Sequence, residues 1–341
     1  MSPNPNRIEW VDAAKGMGII LVVYAHVARG LNKSGIFDGN AFEIVDAIIY
    51  SFHMPLFFFL SGIFYLRTME KRGFTGTIFS KINTIIYPYI IWSLIQGFIE
   101  VQLSAYTNGA AQYSDLFAIL WQPRAHFWFL YTLFFMFIAT SLILIPYFKN
   151  MVSTKITLLS GLAITLFIYL SRQHSPDVFA LTSVSSNAIY FMGGVVFSAV
   201  APNYKRIRLV GLISAVSFFL LSYVVNVAHT LPSNDLWKLS LAFFGILAVI
   251  YMCRVIPESI DKPFALLGSY SMIIYLLHIL FGSGVRIVLS KGFSVDSSLL
   301  HLFVGTTIGL IGPIMFYLIV KNTVLISLFR PLKPQREIGP P

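Results

Sequence analysis

The chain has 341 residues, of which 57% are hydrophobic and 11% are charged, and its mean hydropathy is +0.76. A composition this apolar excludes an ordinary water-soluble globular protein and indicates a protein whose main solvent is lipid. The net charge of +10 does not indicate a nucleic-acid partner, because most of the basic residues lie in short connections between apolar stretches. The single cysteine, Cys253, excludes an intramolecular disulfide and a cysteine-built metal site.

Ten apolar stretches, each long enough to cross a bilayer as a helix, recur along the chain. Runs such as Leu56 to Leu60 and Ile273 to Leu277 are apolar on every face, unlike the alternating strands of a transmembrane barrel. The predicted fold class is therefore all-α, a polytopic integral membrane protein with about ten transmembrane helices. We expect residues 1–330 to form one transmembrane domain and residues 331–341 to form a Pro-rich tail. The stretches are approximately 11–30, 44–66, 82–103, 125–146, 156–172, 184–200, 209–227, 237–255, 264–286 and 299–320.

The Lys and Arg residues predict how the chain is oriented in the membrane. The two terminal segments and alternate connections hold 16 of them, whereas the intervening connections hold six. By the positive-inside rule the first set is cytoplasmic, so both termini are predicted to be cytoplasmic. The N-terminal segment lacks a signal-peptide pattern, and we expect the first helix to be retained.

Histidines lie inside several of these spans. The predicted orientation puts His26 in the outer third of the first span and His53 in the outer half of the second. His126 opens the fourth span, and His278 lies in the outer part of the ninth. An ionisable residue within a span is costly and indicates function, and histidine can exchange a proton near neutral pH. A single one can equally form a helix-packing hydrogen bond, and no close His-x-x-x-His pair indicates a metal site.

The second span contains the segment FHMPLFFFLSG, residues 52–62. Pro55 predicts a kink, and the small pair Ser61 and Gly62 predicts a close approach to another helix. A bent packing helix would explain this segment without any catalytic role.

The connection 67–81 carries four basic residues: Arg67, Lys71, Arg72 and Lys81. Basic residues beside a membrane usually bind lipid headgroups, so membrane lipids are predicted partners. The same charges could also hold the phosphates of a nucleotide-bearing donor.

Five motifs follow one another over nearly the whole chain: RIEWVDAAKGMGIILVVYAHV at 7–27, FHMPLFFFLSG at 52–62, Pro88-Tyr89, HFWFL at 126–130 and LGSYSMIIYLLH at 267–278. In this order they resemble the acyltransferase-3 family of bacterial membrane O-acyltransferases. The resemblance implies a multi-pass protein of the bacterial cytoplasmic (inner) membrane. It also implies an acyl-CoA donor, usually acetyl-CoA, on the cytoplasmic side. The acceptor would be a hydroxyl of a cell-surface or exported glycan or a lipid-linked oligosaccharide, and machinery for polysaccharide synthesis or export would be a partner.

The resemblance also implies roles for individual residues. The family's essential first-helix histidine falls on His26, and the second-helix motif contains His53. An aspartate of the opening motif falls on Asp12, and Asp12 and Lys15 are predicted to bind the donor at the cytoplasmic end of the first helix. Many members carry Arg-x-x-Arg ahead of Pro-Tyr, whereas this chain has Lys81 and Thr84 at those positions. Lys81 supplies one positive charge but cannot form the two parallel hydrogen bonds that an arginine forms with a phosphate. Arg67, Lys71 and Arg72 are therefore also predicted to bind the donor.

These expectations combine into a catalytic hypothesis without a metal. His26, as the general base, and His53 are the predicted catalytic residues. The predicted substrate-binding residues are Trp128, Tyr275, His278 and Ser61. His26 lies about 21 Å beyond Asp12 along a helix that rises ~1.5 Å per residue, so the two cannot be direct partners. An acylated His26 or Ser61 remains an alternative to direct transfer. The rival function is a proton-coupled transporter or flippase for a lipid-linked sugar or small solute.

Overall fold

The computed structural model describes residues 8–103, 112–149, 151, 153–176, 178–200, 204–228, 230–231 and 234–331. Within these ranges the chain is helical and has no β-strand, which confirms the predicted fold class. The predicted tail 331–341 lies outside the described residues from 332 onward. The first seven helices are α1 (Glu9–Lys33), α2 (Asn40–Ile63), α3 (Tyr65–Lys81), α4 (Tyr87–Gln102), α5 (Tyr113–Phe117), α6 (Trp128–Ile143) and α7 (Ile145–Phe148).

The second half of the chain continues the bundle. Its helices are α8 (Thr154–Leu170), α9 (Leu181–Val200), α10 (Tyr204–Ser222), α11 (Asp235–Val255), α12 (Glu258–Ser269), α13 (Ser271–Ile287) and α14 (Ser298–Val320). By length and composition, nine helical segments of the described chain could cross a membrane. The predicted stretch 156–172 corresponds to α8, a shorter apolar helix of 17 residues.

Two segments, one connection and one apolar stretch, differ from their sequence-based expectation. The basic segment 67–81 is not a loop but helix α3, with a kink at Gly73, where φ is 65°. The helical pattern is weak in the sequence, because only one narrow stripe of this helix, including Leu66 and Met69, is buried. The ninth stretch, 264–286, is not one continuous span, because the chain breaks at Tyr270 between α12 and α13.

Helix α1 lies in the middle of the bundle and packs against α2, α11, α12, α13 and α14. Its contact with α12 is a backbone-to-backbone approach at two glycines. A Cβ atom on Gly16 would lie 1.9 Å from the Phe264 carbonyl oxygen, and one on Gly268 would lie 1.7 Å from the Asp12 carbonyl oxygen. Small residues allow such close packing where no difference in hydrophobicity drives helices together.

The small pair in α2 acts as the sequence predicts. A Cβ atom on Gly62 would lie 2.1 Å from the Phe191 carbonyl oxygen, and one on Gly194 would lie 2.0 Å from the Phe59 carbonyl oxygen. Helices α2 and α9 therefore touch through their backbones, and the predicted close approach is confirmed.

The direction of the helices defines two faces of the bundle. We call the face at which α1 begins the near face and the one at which it ends the far face. Gly305, early in α14, lies against Val27 of α1, whereas the later Gly309 lies against Val23. Helix α14 therefore runs antiparallel to α1, and its last turn lies at the near face.

Candidate functional site

Three histidines from distant parts of the sequence form a cluster in the bundle. The ring centroids of His26 and His278 are 5.0 Å apart, those of His126 and His278 are 5.0 Å apart, and those of His26 and His126 are 6.0 Å apart. His26 comes from α1, His278 from α13, and His126 from the short 3₁₀ turn that precedes α6. Contact between α1 and α13 brings the first two together.

The turn that carries His126 has an unusual backbone. Ala125 has a φ of 46°, in the left-handed region that costs a residue with a Cβ atom about 1 kcal/mol or more. The turn nevertheless buries His126, whose side chain is 5% exposed. Both of its ring nitrogens are buried without a hydrogen-bond partner in the described part of the chain.

Backbone carbonyls fix the orientation of the other two rings. His26 Nδ1 lies 2.9 Å from the Val22 carbonyl oxygen, one helical turn earlier. His278 Nδ1 lies 2.8 Å from the Tyr275 carbonyl oxygen. A carbonyl can only accept, so each Nδ1 carries the proton, and in a neutral ring Nε2 is then the basic nitrogen. The group that orients His26 is thus a carbonyl of its own helix, which no sequence motif reveals.

The cluster borders a cavity of about 520 Å³, which we call the first cavity. All three histidine side chains line it, and it extends along the ends of α1 and α13 toward the far face. Its other polar lining residues are Arg29, Lys33, Tyr50, Gln96, Glu100, Ser283, Arg286 and His301.

Two ion pairs brace this cavity. Arg29 donates from Nε and from a terminal nitrogen to the two Asp46 carboxylate oxygens, each at 2.7 Å, and so ties α1 to α2. Arg124 donates to Glu100 and ties α4 to the start of the His126 turn. Gln96 Nε2 donates to the Leu276 carbonyl oxygen at 2.6 Å, which joins α4 to α13 beside the histidines.

A second cavity of about 220 Å³ lies closer to the near face. Lys15 and Lys81 line it together with Ser61, Thr84 and Ser271, and its remaining walls are apolar or aromatic. The Lys81 ammonium lies 4.1 Å from the centre of the Phe137 ring, and Lys15 forms an ion pair with Asp12 at 3.4 Å. The second cavity thus combines two cations with an apolar interior.

Tyr275 lies between the two cavities. Its side chain lines the second cavity, while its hydroxyl donates to the His126 carbonyl oxygen. Its ring centroid is 5.2 Å from that of His126 and 6.0 Å from that of His278. A movement of this one side chain would therefore alter the barrier between the second cavity and the histidine cluster.

The structure brings together only some of the residues predicted from sequence. His26 and His278 line the first cavity; Ser61, Lys15 and Lys81 line the second; and Tyr275 lies between them. The other predicted residues are absent from the described lining of both cavities: His53, Trp128, Asp12, Arg67, Lys71 and Arg72.

Two of these residues pack elsewhere. His53 is fully buried, with Nδ1 at 2.8 Å from the Ile49 carbonyl oxygen and its ring centroid 4.6 Å from that of Tyr50. The Trp128 ring lies 6.2 Å from that of Phe58. The predicted donor-binding residues Arg67, Lys71 and Arg72 are on α3.

Sequence reasoning did not single out several lining residues. His301 opens α14, with Nε2 at 2.9 Å from the Val295 carbonyl oxygen, and Gln96 is 2% exposed in an otherwise apolar helix. Both His301 and Gln96 are polar residues inside an apolar span, and this feature could have indicated a functional role for them from the sequence. For Arg29 the signal was Asp46, an opposite charge at the facing end of the next span. In the part of the chain that the structure describes, no three His, Cys, Asp or Glu side chains, the histidine cluster included, are placed so that they could hold a metal ion.

The fold and its two cavities define a multi-pass membrane protein with a histidine-lined chamber. The chain belongs to the acyltransferase-3 family, because the family model of this acyltransferase domain matches residues 8–318. Its class is therefore that of the membrane acyltransferases.

Two curated relatives are similar over part of their length. Nodulation protein NolL of Sinorhizobium fredii (strain NBRC 101917 / NGR234) is 27% identical over 141 residues, which are 40% of this chain and 37% of the relative. Nodulation protein NolL of Mesorhizobium japonicum (strain LMG 29417 / CECT 9101 / MAFF 303099) is 31% identical over 87 residues, which are 26% of this chain and 23% of the relative. The matched region thus spans well under half of each relative. No solved structure matches the chain.

Proposed function

We propose that the protein moves an acetyl group from acetyl-CoA, bound at the second cavity, to a hydroxyl of a glycan bound in the first cavity. The observation that carries this proposal is the orientation of His26, whose Nδ1 is engaged by the Val22 carbonyl while the ring lines the first cavity. Nε2 is then the nitrogen available to a substrate.

The reaction needs one base and a path between two unlike substrates. The acceptor hydroxyl gives its proton to His26 Nε2 as its oxygen attacks the thioester carbonyl carbon. The carbon–sulfur bond breaks, the thiolate of CoA leaves, and the proton on His26 returns to that sulfur. The products are an acetyl ester of the glycan and free CoA.

The second cavity suits the donor in two ways. Lys15 and Lys81 offer positive charge to phosphate groups, and the apolar walls suit the uncharged arm that bears the thioester. Donor binding by Lys15 and Lys81 fits the proposal better than binding by the other cations of α3, Arg67, Lys71 and Arg72, because these are absent from the described lining of this cavity.

The placement of the donor in the second cavity also predicts the orientation of the protein in the membrane. Acetyl-CoA is a cytoplasmic metabolite, so the near face is cytoplasmic and both ends of the described bundle lie there. This agrees with the excess of Lys and Arg in the segments at that face. The protein would reside in the bacterial inner membrane, with its glycan acceptor presented from the far face.

The test replaces His26 with Ala and measures ester-linked acetate on cell-surface glycans. We expect a loss of at least about a hundredfold at equal membrane abundance, in line with the contribution of general base catalysis. His174→Ala is the matched control, because His174 is exposed on a short turn and is absent from the described lining of both cavities. Near-normal acetylation by His26→Ala would overturn the proposal.

A second measurement separates this function from transport. Acetyl-CoA should stabilise the purified protein against thermal unfolding in the absence of any sugar, because a ligand that binds only the folded state raises its stability. Stabilisation by sugars alone would favour the transporter.

A further inference from the structure

The three histidines of the cluster differ in how their ring nitrogens are engaged. The Nδ1 protons of His26 and His278 are each held by a backbone carbonyl of the same helix, at 2.9 Å and 2.8 Å. Each of these two rings can therefore exchange a proton only through Nε2. In contrast, neither nitrogen of His126 has a hydrogen-bond partner in the described part of the chain.

A backbone oxygen faces the His126 ring without engaging it. The Tyr275 carbonyl oxygen lies beside this ring but outside hydrogen-bond geometry. The same oxygen already accepts a hydrogen bond from His278 Nδ1. His126 is therefore the ring of the cluster that can take up a proton at one nitrogen and release a proton from the other.

Packing alone does not account for a histidine at this position. Two ring nitrogens that are buried without partners reduce the stability of the fold, because they have lost their hydrogen bonds to water. The left-handed backbone of Ala125, with a φ of 46°, adds strain to the turn that inserts His126. The ring packs against that of Phe127, with centroids 4.0 Å apart. A phenylalanine would make this contact without the unpaired nitrogens, which indicates that the nitrogens serve a purpose other than packing.

His126 also lies between the two cavities. On one side it lines the first cavity, where its ring centroid is 6.0 Å from that of His26. On the other side its centroid is 5.2 Å from that of Tyr275, whereas the centroids of His278 and Tyr275 are 6.0 Å apart. Tyr275 lines the second cavity, where the proposed donor binds. A thioester that arrives past Tyr275 would therefore reach the cluster on the side of His126.

We propose that His126 is a catalytic proton relay, which carries the proton from His26 to the sulfur of the leaving thiolate. The relay rests on the proposed function. His26 Nε2 takes the proton of the acceptor hydroxyl and passes it to one nitrogen of His126. The other nitrogen of His126 gives its own proton to the thiolate as the carbon–sulfur bond breaks, so CoA leaves as the neutral thiol. Exchange with water after CoA has left returns His126 to its starting tautomer.

The rings of His26 and His126 are not joined by a direct hydrogen bond in the described structure. One bridging water would connect them, and water-mediated hydrogen bonds are nearly as favourable as direct ones. Catalytic hydrogen bonds also commonly shorten when substrates bind. The resting geometry is thus compatible with transfer between the two rings.

The first test replaces His126 with Phe and measures transfer from radiolabelled acetyl-CoA to the endogenous acceptor of washed membranes. We expect the rate at saturating acetyl-CoA to fall about a hundredfold, as for the loss of a general acid, while the KM for acetyl-CoA stays the same. The purified variant should melt at the wild-type temperature or above, because it lacks the unpaired nitrogens. His174→Ala is the control, because His174 is absent from the described lining of both cavities.

The second test distinguishes a relay from a structural role by chemical rescue. His126→Ala leaves a space beside the first cavity that a small heterocycle can fill. The isomers 4-methylimidazole and 1-methylimidazole have the same size, but only the first has two ring nitrogens that can exchange protons. We expect 4-methylimidazole to raise the rate of His126→Ala about tenfold and 1-methylimidazole to leave it unchanged. His26→Ala should show no preference between them, because His26 acts through Nε2 alone.

Three outcomes would overturn the relay. They are near-wild-type transfer by His126→Phe, a lowered melting temperature of that variant, and rescue of His126→Ala by both isomers equally or by neither. A failure of the proposed function gives a different result, because His26→Ala would then transfer acetyl groups at a near-normal rate in the same membranes. If His26→Ala loses transfer while His126→Phe retains it, the general base is supported and the relay is wrong.

Discussion

The Arg29 guanidinium binds the Asp46 carboxylate through two parallel hydrogen bonds of 2.7 Å and lies 3.1 Å from the centre of the Tyr50 ring. The pair joins the end of α1 to the beginning of α2 across a short connection. The same Tyr50 ring contacts His53 at 4.6 Å between centroids. The far end of the helix that carries His26 is therefore held by the ion pair with Asp46 and by the packing of Arg29 on Tyr50, whose ring meets that of His53 edge to face.

Arg29→Ala should destabilise the protein more than removal of an ordinary surface cation. The Arg29 side chain is 42% exposed, which limits its electrostatic contribution, but the bidentate geometry and the stacking on Tyr50 add to it. We expect a cost of about 1–2 kcal/mol, measured by thermal unfolding in detergent. Lys291→Ala is the control, and equal effects of the two variants would contradict the prediction.

Tyr275 should keep water and donor apart until an acceptor is bound. Tyr275→Phe removes only the hydrogen bond to the His126 carbonyl and should cost about 1 kcal/mol of stability. Tyr275→Ala removes the barrier between the cavities, so we expect hydrolysis of acetyl-CoA without acceptor. The measurement is the ratio of CoA released to acetyl groups transferred, and a ratio unchanged in Tyr275→Ala would argue against a barrier here.

Lys81, at the end of α3, should contribute more to donor binding than the other basic residues of that helix. Lys81→Ala is expected to raise the KM for acetyl-CoA about tenfold, which corresponds to the loss of one charge-assisted contact of ~1.4 kcal/mol. Lys71→Ala, an exposed cation of α3, should change KM by less than about twofold. The opposite order would return the phosphate-binding role to α3, as the sequence predicted.

Two glycines of α1 should respond in opposite ways to the same substitution. Gly16→Ala forces a methyl group onto the Phe264 carbonyl and should cost about 2 kcal/mol or more, because α1 and α12 must separate. Gly30→Ala meets no neighbour within 4 Å and should leave stability equal or raise it by up to about 1 kcal/mol through helix propensity. Thermal unfolding of both variants would check this; equal melting temperatures would refute the close approach.

Several elements of the site could be predicted because their signals are local. A histidine within an apolar span is visible in sequence, and so are the Ser61-Gly62 pair and the motif around Tyr275. Residues that act through packing were missed. His301 and Gln96 stand in spans that otherwise look like ordinary membrane helices, and Arg286 resembles any interfacial cation.

The sequence by itself determined the all-helical membrane fold and the position of His26 along its helix, because hydrophobic length and helical rise are properties of each segment alone. The tertiary structure decided which polar residues meet. It brought His26 to His126 and His278 and packed His53 against Tyr50. It also placed Lys15 and Lys81 in the lining of the second cavity, from which Arg67, Lys71 and Arg72 are absent. Membrane helices have similar apolar compositions, so composition does not determine which helices pack together. Close contacts at small residues and buried hydrogen bonds between distant segments determine it.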